Sequence, residues 1–202
     1  QWLNENEILL SNGQSYCIIN VANKSGERVH ELEENATEPA YESNSKKIAY
    51  LIDQNIMIRD AKSKIIPVTQ NSDPNIVSGQ AIARSEFGIT KGLFWSKNGS
   101  FLAFYQKDET HVHDYPLLNN EETPGALMNI KYPMAGQTSE NPKVGIYNTV
   151  TQKTFFISPR GNKEDYMTNL SFTPDENYVV IAEVNREQNH MWLNVYSSRD
   201  GS

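Results

Sequence analysis

Two pieces of chemistry suggest themselves within Ala81-Ile82-Ala83-Arg84-Ser85-Glu86-Phe87-Gly88-Ile89-Thr90-Lys91-Gly92-Leu93-Phe94-Trp95-Ser96. Glu86 is an isolated carboxylate, two residues after Arg84, set just before a run that reads as buried strand. From residue types alone it forms an ion pair with Arg84 or Lys91 on a solvated surface, a common and weak arrangement. Gly88-Ile89-Thr90-Lys91-Gly92 has the spacing of the hydrolase turn Gly-x-Ser-x-Gly, with Thr90 in the nucleophile's place. A nucleophile elbow needs a strand before it and a helix after it. Here a strand follows, so the segment is expected to be a turn or bulge. No Gly-x-Ser-x-Gly occurs in the chain.

Other candidate ligands are sparse. His111-Val112-His113 puts two imidazoles on one face if extended, a spacing used by some metal sites. Only Asp108, Glu109 or Asp114 stands near as a third ligand, and no metal is assigned. Asp108 and Glu109 are expected to bond turn amides instead. His30 and His190 read as surface or interface residues. Cys17, the single cysteine, reads as a small buried apolar residue and excludes an internal disulfide or a multi-cysteine zinc site. The sequons at Asn23, Asn35, Asn98 and Asn169 fall in polar turns and are read as accidents of composition.

The elements that must position these residues are short strands. Helical periodicity is almost absent, and strand, polar turn, strand recurs along the chain. Ser15 to Val21 turns through Asn23-Lys24-Ser25-Gly26 into Glu27 to Leu32. Ile48 to Ile52 turns through Asp53-Gln54-Asn55 into Ile56 to Arg59, and Ala61 to Lys64 leads into Ile65 to Val68. Gly145 to Asn148 pairs with Thr154 to Ile157. Three longer copies align: Tyr41 to Tyr50, Trp95 to Phe104 and Phe172 to Ile181. Each has an aromatic residue or Trp-Ser-like start, a tight polar turn, then an apolar strand, as in hairpins whose turns tolerate unusual φ. The fold class is therefore all-β, an arc of about three four-stranded antiparallel blades from a β-propeller, with unpaired sheet edges at its ends. One partial propeller domain is expected over residues 1–202, with an insertion at about 108–142 rich in Asn, Glu and Pro.

Composition narrows the function classes. At 202 residues, 38% hydrophobic and 21% charged, the chain is an ordered one with a sizeable core. Its net charge of −7 and lack of a basic face argue against nucleic acid and anionic membrane surfaces as partners. No apolar run approaches the ~20 residues of a membrane span. The start, Gln1-Trp2-Leu3-Asn4, is not a signal peptide and reads as the interior of a longer chain.

Several segments carry a family likeness. Glu86-Phe87-Gly88, Gly92 to Ser96 and Phe101 to Tyr105 resemble the N-terminal propeller of the dipeptidyl peptidase IV family. So do Asp108-Glu109-Thr110, Asp114 to Leu117, Lys131 to Gly136, Asn141 to Asn148 and Asn185 to Met191. The likeness runs in order over residues 38–196 and is most similar to Bacteroidetes-type bacterial enzymes. It implies a serine exopeptidase in which an eight-bladed propeller caps a C-terminal α/β-hydrolase domain that holds the Ser, Asp and His absent here. This portion alone would be inactive. The implied substrates are peptides with proline near the amino terminus, with no cofactor. The implied location is the periplasm or cell surface, and the likeness also admits a homodimer.

The resemblance further implies that acidic residues of the propeller hold the substrate's free amine. A carboxylate in a partly desolvated cavity pairs strongly with an ammonium, and the fixed pair measures how much peptide reaches the nucleophile. Dipeptidyl members carry two adjacent Glu residues before Phe-Gly. Here the second falls on Glu86 and the first on Ser85, so one acid remains. Glu86 is the amine-binding candidate, with Ser85 and Arg84 as substrate-binding candidates beside it. Dipeptidyl and prolyl tripeptidyl release both stay open. The family's cavity arginine from an earlier blade has no counterpart in Glu31 to Pro39. A different class, a non-enzymatic propeller used as an interaction scaffold, is the rival function.

Overall fold

A computed structural model describes residues 1–162 and 164–202, less the side chains of Arg84 and Ser85. Polar turns fold the chain back on itself, so consecutive strands mostly pair antiparallel. β1 (Glu7–Asn12), β2 (Ser15–Asn20) and β3 (Ser25–Glu31) form a three-stranded sheet in chain order. β4 (Thr37–Glu42), β5 (Lys47–Ile52), β6 (Asn55–Arg59) and β7 (Ile65–Pro67) form a four-stranded meander. The third sheet begins with β8 (Ile76–Ser78), then β9 (Leu93–Trp95) and β10 (Phe101–Asp108). The chain leaves it as a separate hairpin, β11 (Asp114–Asn119) and β12 (Ala126–Lys131), and returns as β13 (Asn141–Asn148) and β14 (Lys153–Phe156). β15 (Tyr166–Phe172), β16 (Tyr178–Val184) and β17 (Met191–Ser197) complete a fourth sheet. Among the described residues the only helix is a 3₁₀ helix, Ala83–Gly88.

The central strands explain how the sheets stack. Along β5, Ile48 and Tyr50 join Leu9, Tyr16 and Ile18 in one core. Ala49 and Leu51 face the other way, into a second core with Leu93, Leu102 and Phe104. Along β10, Phe101, Ala103 and Tyr105 face a third core shared with Met167, Val179 and Ile181 of the fourth sheet. Both faces of these strands are buried, so the period-two alternation is written in apolar residues throughout. Successive sheets packed face to face are blades of a propeller. The expected arc is present as a four-stranded and a five-stranded sheet flanked by three-stranded ones, β8 and β9 sharing one edge of β10 in the five-stranded sheet.

The repeated hairpins are β4–β5, β9–β10 and β15–β16, with Tyr41↔Ile48, Trp95↔Leu102 and Phe172↔Val179 in register. Each turn contains a left-handed residue: Lys46 (φ 52°), Gly99 (φ 68°) and Glu176 (φ 62°). The turns also bond to one another across sheets. Asn44 Nδ2 donates to the Lys97 carbonyl at 2.6 Å, and Lys47 Nζ donates to the Gly99 carbonyl at 3.0 Å. Glu176 accepts from the Asn98 amide at 2.5 Å and the Ser100 hydroxyl at 2.7 Å. Trp95, half-buried, ties its hairpin to the preceding sheet through Nε1, which donates to the Ala40 carbonyl at 2.8 Å.

Two expectations fail on strand phase. Cys17 is only half-buried, because Tyr16 and Ile18 take the inward positions of β2. His30 is buried, at 2% exposure, rather than a surface residue. Its Nε2 lies 3.0 Å from the Lys46 carbonyl, which can only accept, so that nitrogen carries the hydrogen. Burial lowers the pKa of this ring below the usual histidine value, a shift opposed by that backbone bond.

Candidate functional site

The segment bearing Glu86 is a loop thrown from one sheet edge and closed at its neck. β8 pairs with Gln106 to Asp108 and β9 with Leu102 to Phe104, so the two occupy consecutive stretches beside β10. Between them Tyr105 bonds both ends of the loop. The Gly79 amide donates to its carbonyl at 2.7 Å, and its own amide donates to the Gly92 carbonyl at 3.0 Å. A Cβ on Gly92 would lie 2.2 Å from the Gln80 carbonyl oxygen and 2.4 Å from the Gly79 carbonyl carbon. Gly79 itself has φ +87°. Only glycine permits so close a backbone approach. Gly92 is thus a neck residue, and the resemblance of Gly88 to Gly92 to a nucleophile elbow ends there: the next element is strand β9.

The loop is stiffened from within. Ile82 and Ile89, which flank the 3₁₀ helix, are buried in the core between the third and fourth sheets. The helix begins at Ala83 with φ 52° and ends with Phe87 and Gly88 at φ 55° and 72°. Ile82, its N-cap, offers no side-chain bond. Instead Glu140 Oε1, from the residue just before β13, accepts the Ala83 amide at 2.8 Å. At the other end the Phe87 ring packs 5.0 Å from that of Tyr166. Arg186 covers Tyr166 at 5.3 Å and donates to its hydroxyl at 2.5 Å.

Glu86 lies between these anchors with its side chain exposed, and its carbonyl accepts the Ile89 amide at 3.0 Å. Among the described residues no ion pair involves Glu86. Lys91 is not its partner, for the Lys91 ammonium lies 5.1 Å over the Phe94 ring. The expectations placed on the side chains of Ser85 and Arg84 lie outside the described residues. Gly88, Thr90, Lys91, Phe94 and Tyr105 border a hollow of about 150 Å³ beside the helix.

The segment after β10 is organised by its own polar groups. Asp108 accepts from the Thr110 hydroxyl at 2.6 Å and the Thr110 amide at 3.0 Å, and these bonds hold its carboxyl below the ordinary value. Glu109 does not serve the turn with its side chain. It pairs with Lys107 at 3.1 Å, both side chains being nearly buried. Val112 turns inward at 3% exposure, which leaves His111 and His113 exposed on either side. Among the described residues no group of three His, Cys, Asp or Glu is placed to hold a metal ion. A groove of about 600 Å³ opens between Asp108, His111, the 136–141 segment, Glu164 and Arg186. No described helix is long and apolar enough to cross a membrane.

Stacked antiparallel sheets with a stiffened loop on one edge define part of a β-propeller. The chain belongs to the dipeptidyl peptidase IV (DPP IV) N-terminal region family, whose model matches residues 5–202. The dipeptidyl aminopeptidase B of Saccharomyces cerevisiae is 28% identical over 154 residues, covering 72% of this chain and 19% of that protein. A Tuber melanosporum protein assigned as a dipeptidyl-aminopeptidase B is 28% identical over 180 residues, covering 76% and 20%. Among solved structures, a Bacteroides ovatus protein assigned as a dipeptidyl aminopeptidase IV matches with a TM-score of 0.84 at 37% identity. That match covers 99% of this chain and 27% of the other. Porphyromonas gingivalis dipeptidyl peptidase 4 shares the fold, with a TM-score of 0.77 at 22% identity over 95% and 29% of the two chains. The chain thus spans about a fifth of the curated relatives it matches.

Glu140, Tyr166 and Arg186 were not legible as partners of the Glu86 segment. Glu140 lies 57 residues from Ala83, and nothing in the spacing links them. The only signal was indirect: Asn185-Arg186-Glu187 lay within the family likeness without an assigned role.

Proposed function

We propose that this chain is the non-catalytic propeller portion of a proline-specific serine exopeptidase, and that it binds the substrate's amino terminus through Glu86 and gates access to the active site. The catalytic Ser, Asp and His belong, in this proposal, to an α/β-hydrolase domain elsewhere on the polypeptide, and residues 1–202 alone are inactive. The parent is a bacterial enzyme of the periplasm or cell surface. The observation that carries the reading is the setting of Glu86. It is an exposed carboxylate without an ion-pair partner among the described residues, on a loop fixed at its neck and at both ends of its helix. A carboxylate so held is suited to a substrate ammonium, because its geometry is set before binding.

In the full-length enzyme Glu86→Gln is expected to lower kcat/KM about a hundredfold for free-amine peptides, chiefly through KM. The scale is that of removing one partner of a charge pair that the bound substrate desolvates, about 2–5 kcal/mol. An effect under twofold would sink the role of Glu86. The single acid supports a second reading within the class: Ser85 stands where dipeptidyl members carry their first Glu, and prolyl tripeptidyl release holds the amine one residue further out.

A further inference from the structure

We infer that Glu140 is a positioning residue for amine recognition, holding the 3₁₀ helix whose exposed side carries Glu86. The inference rests on the amine-binding reading of Glu86. A helix of this length has most of its amides without intrahelical partners, and its N-cap, Ile82, has no side-chain acceptor. Ala83 also adopts φ 52°, which a residue with a Cβ holds only when its surroundings compel it. Glu140 supplies that constraint by placing an acceptor oxygen 2.8 Å from the Ala83 amide, which donates to it.

Its own position is fixed by the sheet. Glu140 directly precedes Asn141, which opens β13 and is registered opposite Asp108 at the end of β10. The return limb of the 108–142 segment therefore sets the start of the helix, while Phe87 on Tyr166 sets its end. Glu140 faces the groove beside Asp108 and Arg186, whose lining does not include Glu86. It acts on the amine through the backbone of the helix, not by contact. Misplacing a binding group by about 1 Å is enough to lose one to two orders of magnitude.

The experiment is steady-state kinetics of the full-length enzyme on whichever of a chromogenic x-Pro or x-x-Pro peptide the parent cleaves, with a free or an acetylated amino terminus, for E140A, E140Q, E140D, E86Q and E86Q/E140A. E140A is expected to raise KM for the free-amine peptide about tenfold with kcat within about twofold, and to leave the acetylated peptide unaffected. E140Q keeps an acceptor oxygen and should stay within about twofold of the parent. E140D withdraws the oxygen by about one C–C bond and should resemble E140A, which also serves if E140A does not fold. The double variant should be no worse than E86Q. Unchanged KM in E140A and E140D, with E86Q impaired, overturns the positioning role alone. E140Q as impaired as E140A means that Glu140 acts through its charge, which also overturns it. A harmless E86Q removes the amine-binding reading and this inference together.

Discussion

Gly92 shows how a residue that mimics one motif serves another purpose. Its missing Cβ lets the two limbs of the loop meet beside Tyr105, where any side chain would strike the Gln80 and Gly79 backbone. Gly92→Ala is expected to cost about 1–3 kcal/mol through overpacking that backbone cannot relieve cheaply. The measurement is thermal unfolding of the full-length protein, paired with KM for a free-amine peptide, which should rise as the neck is forced open. A melting point and KM both equal to the parent would show that the neck tolerates a side chain. Glu86 differs in kind. Its type was legible in the sequence, and so was the loss of a neighbouring acid at Ser85. Its exposure and lack of a Lys91 partner were not, because Lys91 is drawn instead over the Phe94 ring. His30 and Cys17 make the same point: alternation along a strand gives two faces, and only packing says which face is covered.

The repeated hairpins act as elements that lock one blade to the next. Burial pushes the Glu176 carboxyl upward, but donors from Ser96, Asn98 and Ser100 outweigh it and hold the group below its ordinary value. A carboxylate depressed in the folded state contributes stability that is fully present above its unfolded pKa. That contribution is lost as the pH falls through the lower folded value. Glu176→Gln is therefore expected to lower the melting temperature at pH 7, where the amide at Asn98 and the hydroxyl at Ser100 lose a charged acceptor, at a cost of about 1–3 kcal/mol. The gap between parent and variant should close as the pH drops through the acid range, since a protonated Glu176 resembles Gln. Parallel melting curves from pH 7 into acid would contradict this. The hairpins themselves were readable, because a polar turn between an aromatic residue and an apolar strand is a local signal. Their bonds across sheets join Asn44 to Lys97 and Glu176 to Asn98, 53 and 78 residues apart, and no local signal encodes them.

At the scale of the whole molecule, the proposed peptidase function turns on substrate length. A peptide panel on the full-length enzyme, comparing x-Pro with x-x-Pro amino termini, is expected to favour one class clearly; equal rates on peptides without proline would remove the proline-specific reading. The gene should also encode a Gly-x-Ser-x-Gly segment followed by Asp and His after the region described, and its absence would favour an interaction scaffold. By itself the sequence determined the all-β class, the recurrence of hairpins and the family, because alternation, turn chemistry and short motifs are local properties of the chain. It also singled out Glu86. Only the tertiary structure decided that residues 80–91 form a closed loop on one edge of β10, and that Glu140, Tyr166 and Arg186 hold it. The reason is physical. The closure is made by two glycines bonded to one residue of a neighbouring strand, and the cap comes from the far end of an insertion, so both depend on how the sheets stack.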